Sequence, residues 1–483
     1  MVSSDGQLEG PYELSDVALQ IAESIESSSA GLYVIVTHYD ADGLAAASII
    51  ARSLMKIERP FVVRVVDQID EETLTSLPKG DYYVFVDLGS SAVRAIADKG
   101  LLPASVIDHH EPLRSSEVVG KELRELNPHI FGLNGGRDVS ASGLAYFVSK
   151  GMKVLDHEIA YLAIAGAIGD RQESAQGFVG LNKLIAQEAI ERGWVRRFTG
   201  LRLYGVPRYP LVKSLMYTVD PLLPGLTYDE AASERFLESL GITLKKSNGP
   251  LTTYKDLSVD EISKLATALI KHLLMKGFSP QSANALFGFI YEFLYEPEDS
   301  PLRYAHEFAQ TLNACGRLRK HGLGLAIGLG DRKEALSQVE AISLEYRRRL
   351  TQYLSLLRSD PSYIRVLNNV QVMDMRNVVD ERILGAVASI AVSSYMCDAS
   401  KPLISLAHSI KGKVKVSARM HEALSKRGIN LGFIIKTAAE EVGGSGGGHE
   451  NAAGAIIPSE SLNTFIKTVD LLVGKSLKAG ARS

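Results

Sequence analysis

Along this chain the spacing of hydrophobic positions changes character several times. Between Gly31 and Gly193, short unbroken apolar runs of strand length (Leu32 to Thr37, Tyr82 to Asp87, Ala104 to Ile107) alternate with helical patterns, of which Ile159 to Ile168 is the most apolar. Strands that are apolar on both faces must be covered on both faces, so the pattern predicts a parallel sheet sandwiched by helices. From Trp194 to Pro301 the pattern is mostly helical and irregular, with a turn at Leu223-Pro224-Gly225, and it predicts a helical insert. Leu336, Val339, Ile342, Tyr346, Leu350, Tyr353 and Leu357 recur every three or four positions between Arg332 and Leu357. They predict one helix of about 40 Å, at ~1.5 Å per residue, which Asp360-Pro361 ends. A second α/β unit follows: strand Val370 to Met375, helix Ile383 to Tyr395, strands Leu403 to Ala407 and Lys413 to Ser417, helix Leu431 to Glu441, then a glycine-rich loop. The expected architecture is α/β, with two α/β lobes joined by a long helix. Its expected divisions are 1–193, 194–301, 302–360 and 361–483.

Composition narrows the picture little. At 483 residues the chain is long enough for two or three domains. A net charge of −3 leaves no global basic footprint, so contact with nucleic acid must come from local Arg and Lys clusters. Two distant cysteines, Cys315 and Cys397, exclude a disulfide scaffold and fit a reducing compartment, with cytoplasm the expected location. Met1 to Asp16 is polar, and no apolar run reaches the ~18 residues of a bilayer span, so neither a signal peptide nor a membrane anchor is expected.

Ligands gather beyond the carboxyl ends of parallel strands, and there the chemistry-bearing residues stand. The first strand leads into His38-Tyr39-Asp40-Ala41-Asp42-Gly43, three hard-metal ligands at alternate positions. Alone, an Asp-x-Asp-Gly before a helix is more often a helix cap. The next strand runs into Asp87 and the third into Asp108-His109-His110-Glu111; adjacent imidazoles beside carboxylates seldom serve packing, because both are costly to bury unpaired. The apolar helix delivers Asp170, which also needs a partner. Together His38, Asp40, Asp42, Asp87, His109 and Asp170 suffice for two cations with one shared carboxylate. Oxygen and imidazole ligands without thiolates favour Mn²⁺, with Mg²⁺ or Zn²⁺ as alternatives. Two ions about 3.5 to 4 Å apart define a reaction class, phosphoester hydrolysis.

These four groups, in this order, resemble the four motifs of the DHH phosphoesterase superfamily. Ser417-Ala418-Arg419, the run Gly443 to His449 and Asn451 to Ala455 resemble its DHHA1 substrate-binding domain, and Leu312 to Leu318 resembles the Asn-Ala-x-Gly-Arg segment of the RecJ exonucleases. The resemblance implies that His38, Asp40 and Asp87 hold one ion and that Asp42, Asp87, His109 and Asp170 hold the other. It also implies that His110 contacts the scissile phosphate and that Asp108 orients the histidines. His38 stands where bacterial RecJ proteins commonly carry Asp, which points to the archaeal type, including the GINS-associated nuclease.

For the substrate, Gly446, Gly447 and Gly448 offer backbone N–H groups without side-chain bulk, and His449 is expected on the scissile or terminal phosphate; a lone strand-end Arg is more often solvated, and it is the resemblance that implies a phosphate grip for Arg419. Arg317 adds a basic patch with Arg319 and Lys320, whereas Arg347-Arg348-Arg349 spreads around its helix and reads as a solvated or interface face. Tyr39 and His408 are the aromatic candidates for base stacking. The implied activity is exonucleolytic hydrolysis of single-stranded DNA or RNA in replication or repair, with GINS and the replicative helicase as candidate partners. Two alternatives stand beside it: a phosphodiesterase for short oligoribonucleotides or other small nucleotides, and a replisome scaffold bound to GINS.

Overall fold

The structure, a computed structural model, describes residues 9–112, 122–174, 176–206, 208–219, 221–246, 249–409 and 412–480; the start of the polar N-terminal segment lies outside them. The chain folds into two compact units, one formed by residues up to Gly200 with Phe287–Leu344, the other by Leu201–Leu286 with Glu345–Ser483.

The first unit is built on strands β1 (Tyr33–His38), β2 (Phe61–Val66), β3 (Tyr82–Val86), β4 (Ala104–Ile107) and β5 (Leu123–Leu126). They form one sheet in the order β2-β1-β3-β4-β5 with every pairing parallel. The three strands expected from their apolar runs are the three central ones. Side chains alternate between faces. Tyr33, Ile35, Tyr82 and Val84 therefore enter a large core with Leu14, Ile21, Ala45, Ile49, Leu144 and Ile164. Val34, Val36, Phe85 and Val106 enter a smaller one with Leu74, Val93 and Ile96. The edge strands β2 and β5 carry Arg64, Arg124 and Glu125, which break the apolar runs by which the central strands were recognised. Helix His157–Gly169 is apolar nearly all round because helices Ala41–Lys56, Ala141–Gly151 and Ala305–Arg317 pack about it.

The stretch expected as a helical insert is framed by two strands, β6 (Val195–Leu201) and β7 (Phe287–Phe293), which pair with each other. β7 belongs to the first unit's core, where Phe293 stacks on Tyr161 at 4.1 Å between ring centroids. Between the strands lie helices Leu211–Tyr217, Glu230–Ser239, Val259–Met275 and Pro280–Asn284.

The chain passes from the first unit to the second within helix Glu334–Ser359, the long helix that the periodicity predicted. In the second unit, β8 (Ile364–Val366), β9 (Gln371–Asp374), β10 (Leu403–His408), β11 (Lys413–Arg419), β12 (Ser445–Gly448) and β13 (Ala452–Pro458) form a mixed sheet in the order β12-β13-β11-β10-β9-β8. Helices Leu431–Glu441 and Leu462–Gly480 cover it through Ile434, Ile435, Ala438, Phe465, Val469 and Val473. Part of the glycine-rich stretch is strand rather than loop, because Ser445–Gly448 pairs antiparallel with β13 at the sheet edge. Turn composition concealed this, since glycine is depleted from strands in general and tolerated where another backbone approaches closely. The Arg347–Arg349 run is likewise divided. Arg347 is buried over the ring of Tyr204 and donates to the Tyr217 carbonyl at 3.3 Å, while Arg348 and Arg349 pair with Glu345. Among the described residues, no helix is long and apolar enough to cross a membrane.

Candidate metal centre

β1, β3 and β4 are neighbours and parallel, so their carboxyl ends open on one edge of the first unit. β1 ends at His38, and Asp40 then caps helix Ala41–Lys56 by accepting the Gly43 N–H at 3.0 Å. The cap that this motif suggests is present, and it leaves the other oxygen of Asp40 3.0 Å from His38 Nδ1. Asp42, in the first turn of that helix, is fully buried and accepts the N–H groups of Ala141 and Ser142 at 2.7 and 3.1 Å, where a second helix begins. Asp87 follows β3 with φ of +61°, a backbone region that non-glycine residues avoid and that clusters at functional sites.

Two sets of groups converge here, His38 with Asp40 and Asp87, and Asp42 with His109 and Asp170; within each set the ligand atoms lie within 4.8 Å of one another. Asp87 belongs to both neighbourhoods. Its Oδ2 is 3.6 Å from His38 Nδ1, and its Oδ1 is 3.2 Å from His109 Nε2. The Oδ2 atom is buried and accepts no hydrogen bond among the described residues. A buried anionic oxygen without a donor is what a cation would satisfy, and the donor set of carboxylates and imidazoles fits hard or borderline divalent ions.

The electrostatics give the same answer. Burial, and then the Asp87 charge, push the Asp42 carboxyl up to about 7. Burial together with Asp87 and Asp40 also raises Asp170. For His109, burial works to lower the pKa, but the carboxylates of Asp170, Asp87 and Asp42 outweigh it and hold the ring well above its usual range. All three shifts favour positive charge within the cluster, which is what a bound cation would supply.

His110 lies beside these sets with its ring partly exposed. Asp108, fully buried, accepts the His110 backbone N–H at 3.1 Å and sits 2.8 Å from its Nδ1, while its other oxygen takes the Ser90 N–H at 3.0 Å. Burial opposes protonation of His110, but the Asp108 charge prevails and raises its pKa. Asn127 escaped the sequence reading. Fully buried, it donates to the His110 carbonyl at 2.9 Å and to Ser90 Oγ at 2.8 Å, yet its position after β5 carries no metal-ligand signal.

The Asn-Ala-x-Gly-Arg segment lies on helix Ala305–Arg317 of the same unit and braces the first motif. Asn313 Oδ1 accepts the Ala41 N–H at 3.2 Å. A Cβ on Gly316 would stand 1.7 Å from the Tyr39 carbonyl oxygen, so only glycine allows this approach. Arg317, expected on substrate, has its charge near Asp40, where it helps His38 hold that carboxyl below the usual range against the effect of burial. Tyr39 is buried with its ring 4.2 Å from that of His38, so it packs on a ligand and offers no free face for base stacking. His408 is exposed, with Nε2 3.1 Å from Asn377 Oδ1.

Within the second unit, Arg419 ends β11 half-buried, with Nε donating to Ser389 Oγ at 2.9 Å and Nη1 to the carbonyls of Ala418 and Ala453 at 2.8 and 3.2 Å. Gly446, Gly447 and Gly448 lie on the edge strand β12, and His449 turns the chain into β13 through an N–H bond to the Ala452 carbonyl of 2.8 Å.

Comparison with known proteins gives three family matches: the DHH family N-terminal domain over residues 33–167, the DHH-CID domain over 203–287 and the DHHA1 domain over 368–475. An uncharacterized protein of Methanocaldococcus jannaschii is 31% identical over 472 residues, covering 96% of this chain and 98% of its own. Among solved structures, CDC45 from Entamoeba histolytica matches at a TM-score of 0.60 and 13% identity, covering 96% of this chain and 98% of that one. A manganese-bound exonuclease RecJ matches at 0.50 and 18%, covering 97% and 95%. RecJ from Thermus thermophilus in complex with Mn²⁺ matches at 0.54 and 18%, covering 97% of this chain and 55% of that one.

Two outcomes follow from this geometry. Because the Asp42 pKa is raised on folding, its stabilising proton is held at low pH and lost as pH rises through about 7. The metal-free protein is therefore weakened at pH 8 by bare carboxylates that a cation neutralises. Mn²⁺ at about a hundred times its Kd adds roughly 2.7 kcal/mol, and because the ligands must first shed their protons, the rise in Tm is larger at pH 8 than at pH 6. Thermal melts with and without Mn²⁺ at both pH values check this, and equal shifts contradict it. Second, Gly316→Ala displaces the Tyr39 carbonyl and weakens Mn²⁺ binding by about tenfold or more, the scale seen when groups supporting a metal ligand are disturbed; calorimetric titration measures it.

Proposed function

This chain belongs to the DHH phosphoesterase superfamily and has its RecJ-like fold, and from that premise we propose that it is an exonuclease hydrolysing phosphodiester bonds of single-stranded DNA or RNA with two divalent cations. The observation that carries the reading is Asp87, whose two oxygens face two separate sets of ligands from one strained backbone position. His38 and Asp40 would hold one ion with Asp87, and Asp42, His109 and Asp170 would hold the other with it, Mn²⁺ being the expected metal. When bound, such a pair polarises both the attacking water and the phosphodiester oxygens.

The chain's own groups do the rest. Asp108 fixes the His110 ring and favours its protonated form, so that a positive N–H donor faces a non-bridging phosphate oxygen as charge develops there. Arg317 lies close enough to Asp40 to serve the site as a second positive group. Arg419, Gly446, Gly447, Gly448 and His449 form the proposed substrate grip of the DHHA1 unit; β12 is the edge strand of its sheet, a position from which backbone groups can meet a ligand.

A role beside the replicative helicase and GINS is a second reading, supported by the CDC45-like fold. The intact ligand set favours catalysis over scaffolding alone. The CID region, 203–287, favours a long substrate over a dinucleotide, which needs no such addition.

A time course with Mn²⁺ on 5′- and 3′-labelled linear and on circular single-stranded DNA and RNA tests the proposal. Linear strands shorten progressively while circles persist, and equal cleavage of both contradicts exonucleolytic action. Asp87→Asn removes a charge that both ion sets share and abolishes turnover. His110→Gln lowers kcat by about 10²- to 10³-fold, the usual cost of one lost charge-stabilising donor, with a smaller change in KM.

A further inference from the structure

Asp170 marks the end of helix His157–Gly169, and two residues later stands Gln172, almost fully buried. Its side-chain amide is saturated. One Nε2 hydrogen goes to the Gly135 carbonyl and the other to Asp170 Oδ2, each at 2.8 Å, and Oε1 accepts from Asn182 Nδ2 at 2.7 Å. The Gly135 carbonyl also lies 2.7 Å from His109 Nδ1. A carbonyl only accepts, so Nδ1 carries a proton, and in the neutral ring that a metal requires it is Nε2, the nitrogen facing Asp87 and Asp42, that has the lone pair to give. With its hydrogen aimed at Gly135, Nδ1 has nothing to offer the Gln172 nitrogen 3.3 Å away, and the amide lies beside the ring as a wall.

Asn182 is in turn held in one orientation. It is buried on helix Gly180–Glu191, its N–H donates to the Asp138 carbonyl at 3.0 Å, and its Oδ1 receives the Ser140 N–H at 3.4 Å. Its Nδ2 must therefore face Gln172, which obliges Gln172 to present hydrogens, and not its oxygen, to Asp170 and Gly135. Gly135 is confined as well: a Cβ there would stand 1.8 Å from the His109 carbonyl oxygen.

We propose that Gln172 and Asn182 form a positioning relay for the Asp42–His109–Asp170 ion, Gln172 engaging Oδ2 of Asp170 so that Oδ1 is left for the metal, and sharing with His109 the carbonyl that sets its tautomer. This rests on the two-ion reading of the site. Neither residue touches the ion or the substrate; both act through the ligands, as groups behind metal ligands do.

The test is a Mn²⁺ binding isotherm at pH 8, followed by electron paramagnetic resonance of free Mn²⁺, for the full chain and for two variants of near-equal volume. Gln172→Met removes both donors to Asp170 and Gly135. Asn182→Asp sets an acceptor against Oε1 and turns the Gln172 amide over, so that its oxygen meets Asp170. Each variant is expected to weaken one of the two sites by about 10- to 100-fold, to leave the other nearly unchanged, and to melt within a few degrees of the parent. An unaltered isotherm in either variant, or equal weakening of both sites, overturns the relay. Should Gln172→Met fold poorly, the Asn182→Asp isotherm decides alone. Failure of the nuclease reading looks different, since the unsubstituted chain then binds two Mn²⁺ with full affinity and leaves single strands intact.

Discussion

Crowding of like charge at the end of a parallel sheet is the constraint from which the rest of the first unit follows. Asp42 and Asp87 are both buried, and a buried carboxylate without a partner is tolerated only as the neutral acid or beside a cation. The fold meets this cost with several devices. The start of helix Ala141–Gly151 supplies two amides to Asp42, Asp87 takes a left-handed backbone, and helix Ala305–Arg317 brings a distant asparagine, glycine and arginine to brace the first motif. Geometry thereby gives the Asn-Ala-x-Gly-Arg segment a structural role: Asn313 and Gly316 brace the backbone of Tyr39 to Ala41, on which the candidate ligands stand.

Much of this architecture could be read from the chain alone, and for a physical reason. Central parallel strands are apolar on both faces, and β1, β3 and β4 announce themselves as unbroken runs with a polar residue at the end. The edge strands β2 and β5 do not, since one side of an edge is open to charge. His38, Asp40, Asp42, Asp87, His109 and Asp170 stand out in the chain because ligand types are scarce at such ends, and the structure brings them together. Asn127, Asn182 and Gln172 were missed because amides are common everywhere, and only three-dimensional partners reveal which of them are saturated. Tyr39 misled for a related reason: an aromatic residue beside a ligand suggests a stacking platform, whereas burial makes it packing.

The second unit teaches the converse lesson. Its strands β9, β10 and β11 follow the hydrophobic pattern, but the glycine run hides a strand, because turn composition and an edge strand at a site of close approach share one signature. Arg419 also changes character in the structure. Its guanidinium is tethered to Ser389 and to two backbone carbonyls, which holds the group in place at the end of β11 where a solvated arginine would sweep freely.

An edge built from Gly446, Gly447 and Gly448 has one more implication. A strand without side chains has nothing with which to tell one base from another; it offers only amides and carbonyls, at a spacing fixed by the pleat. If this edge holds a nucleic-acid strand as proposed, it would read the repeating skeleton, and any preference among letters would fall to the residues that flank the bare stretch, Ser445 at one end and His449 at the other.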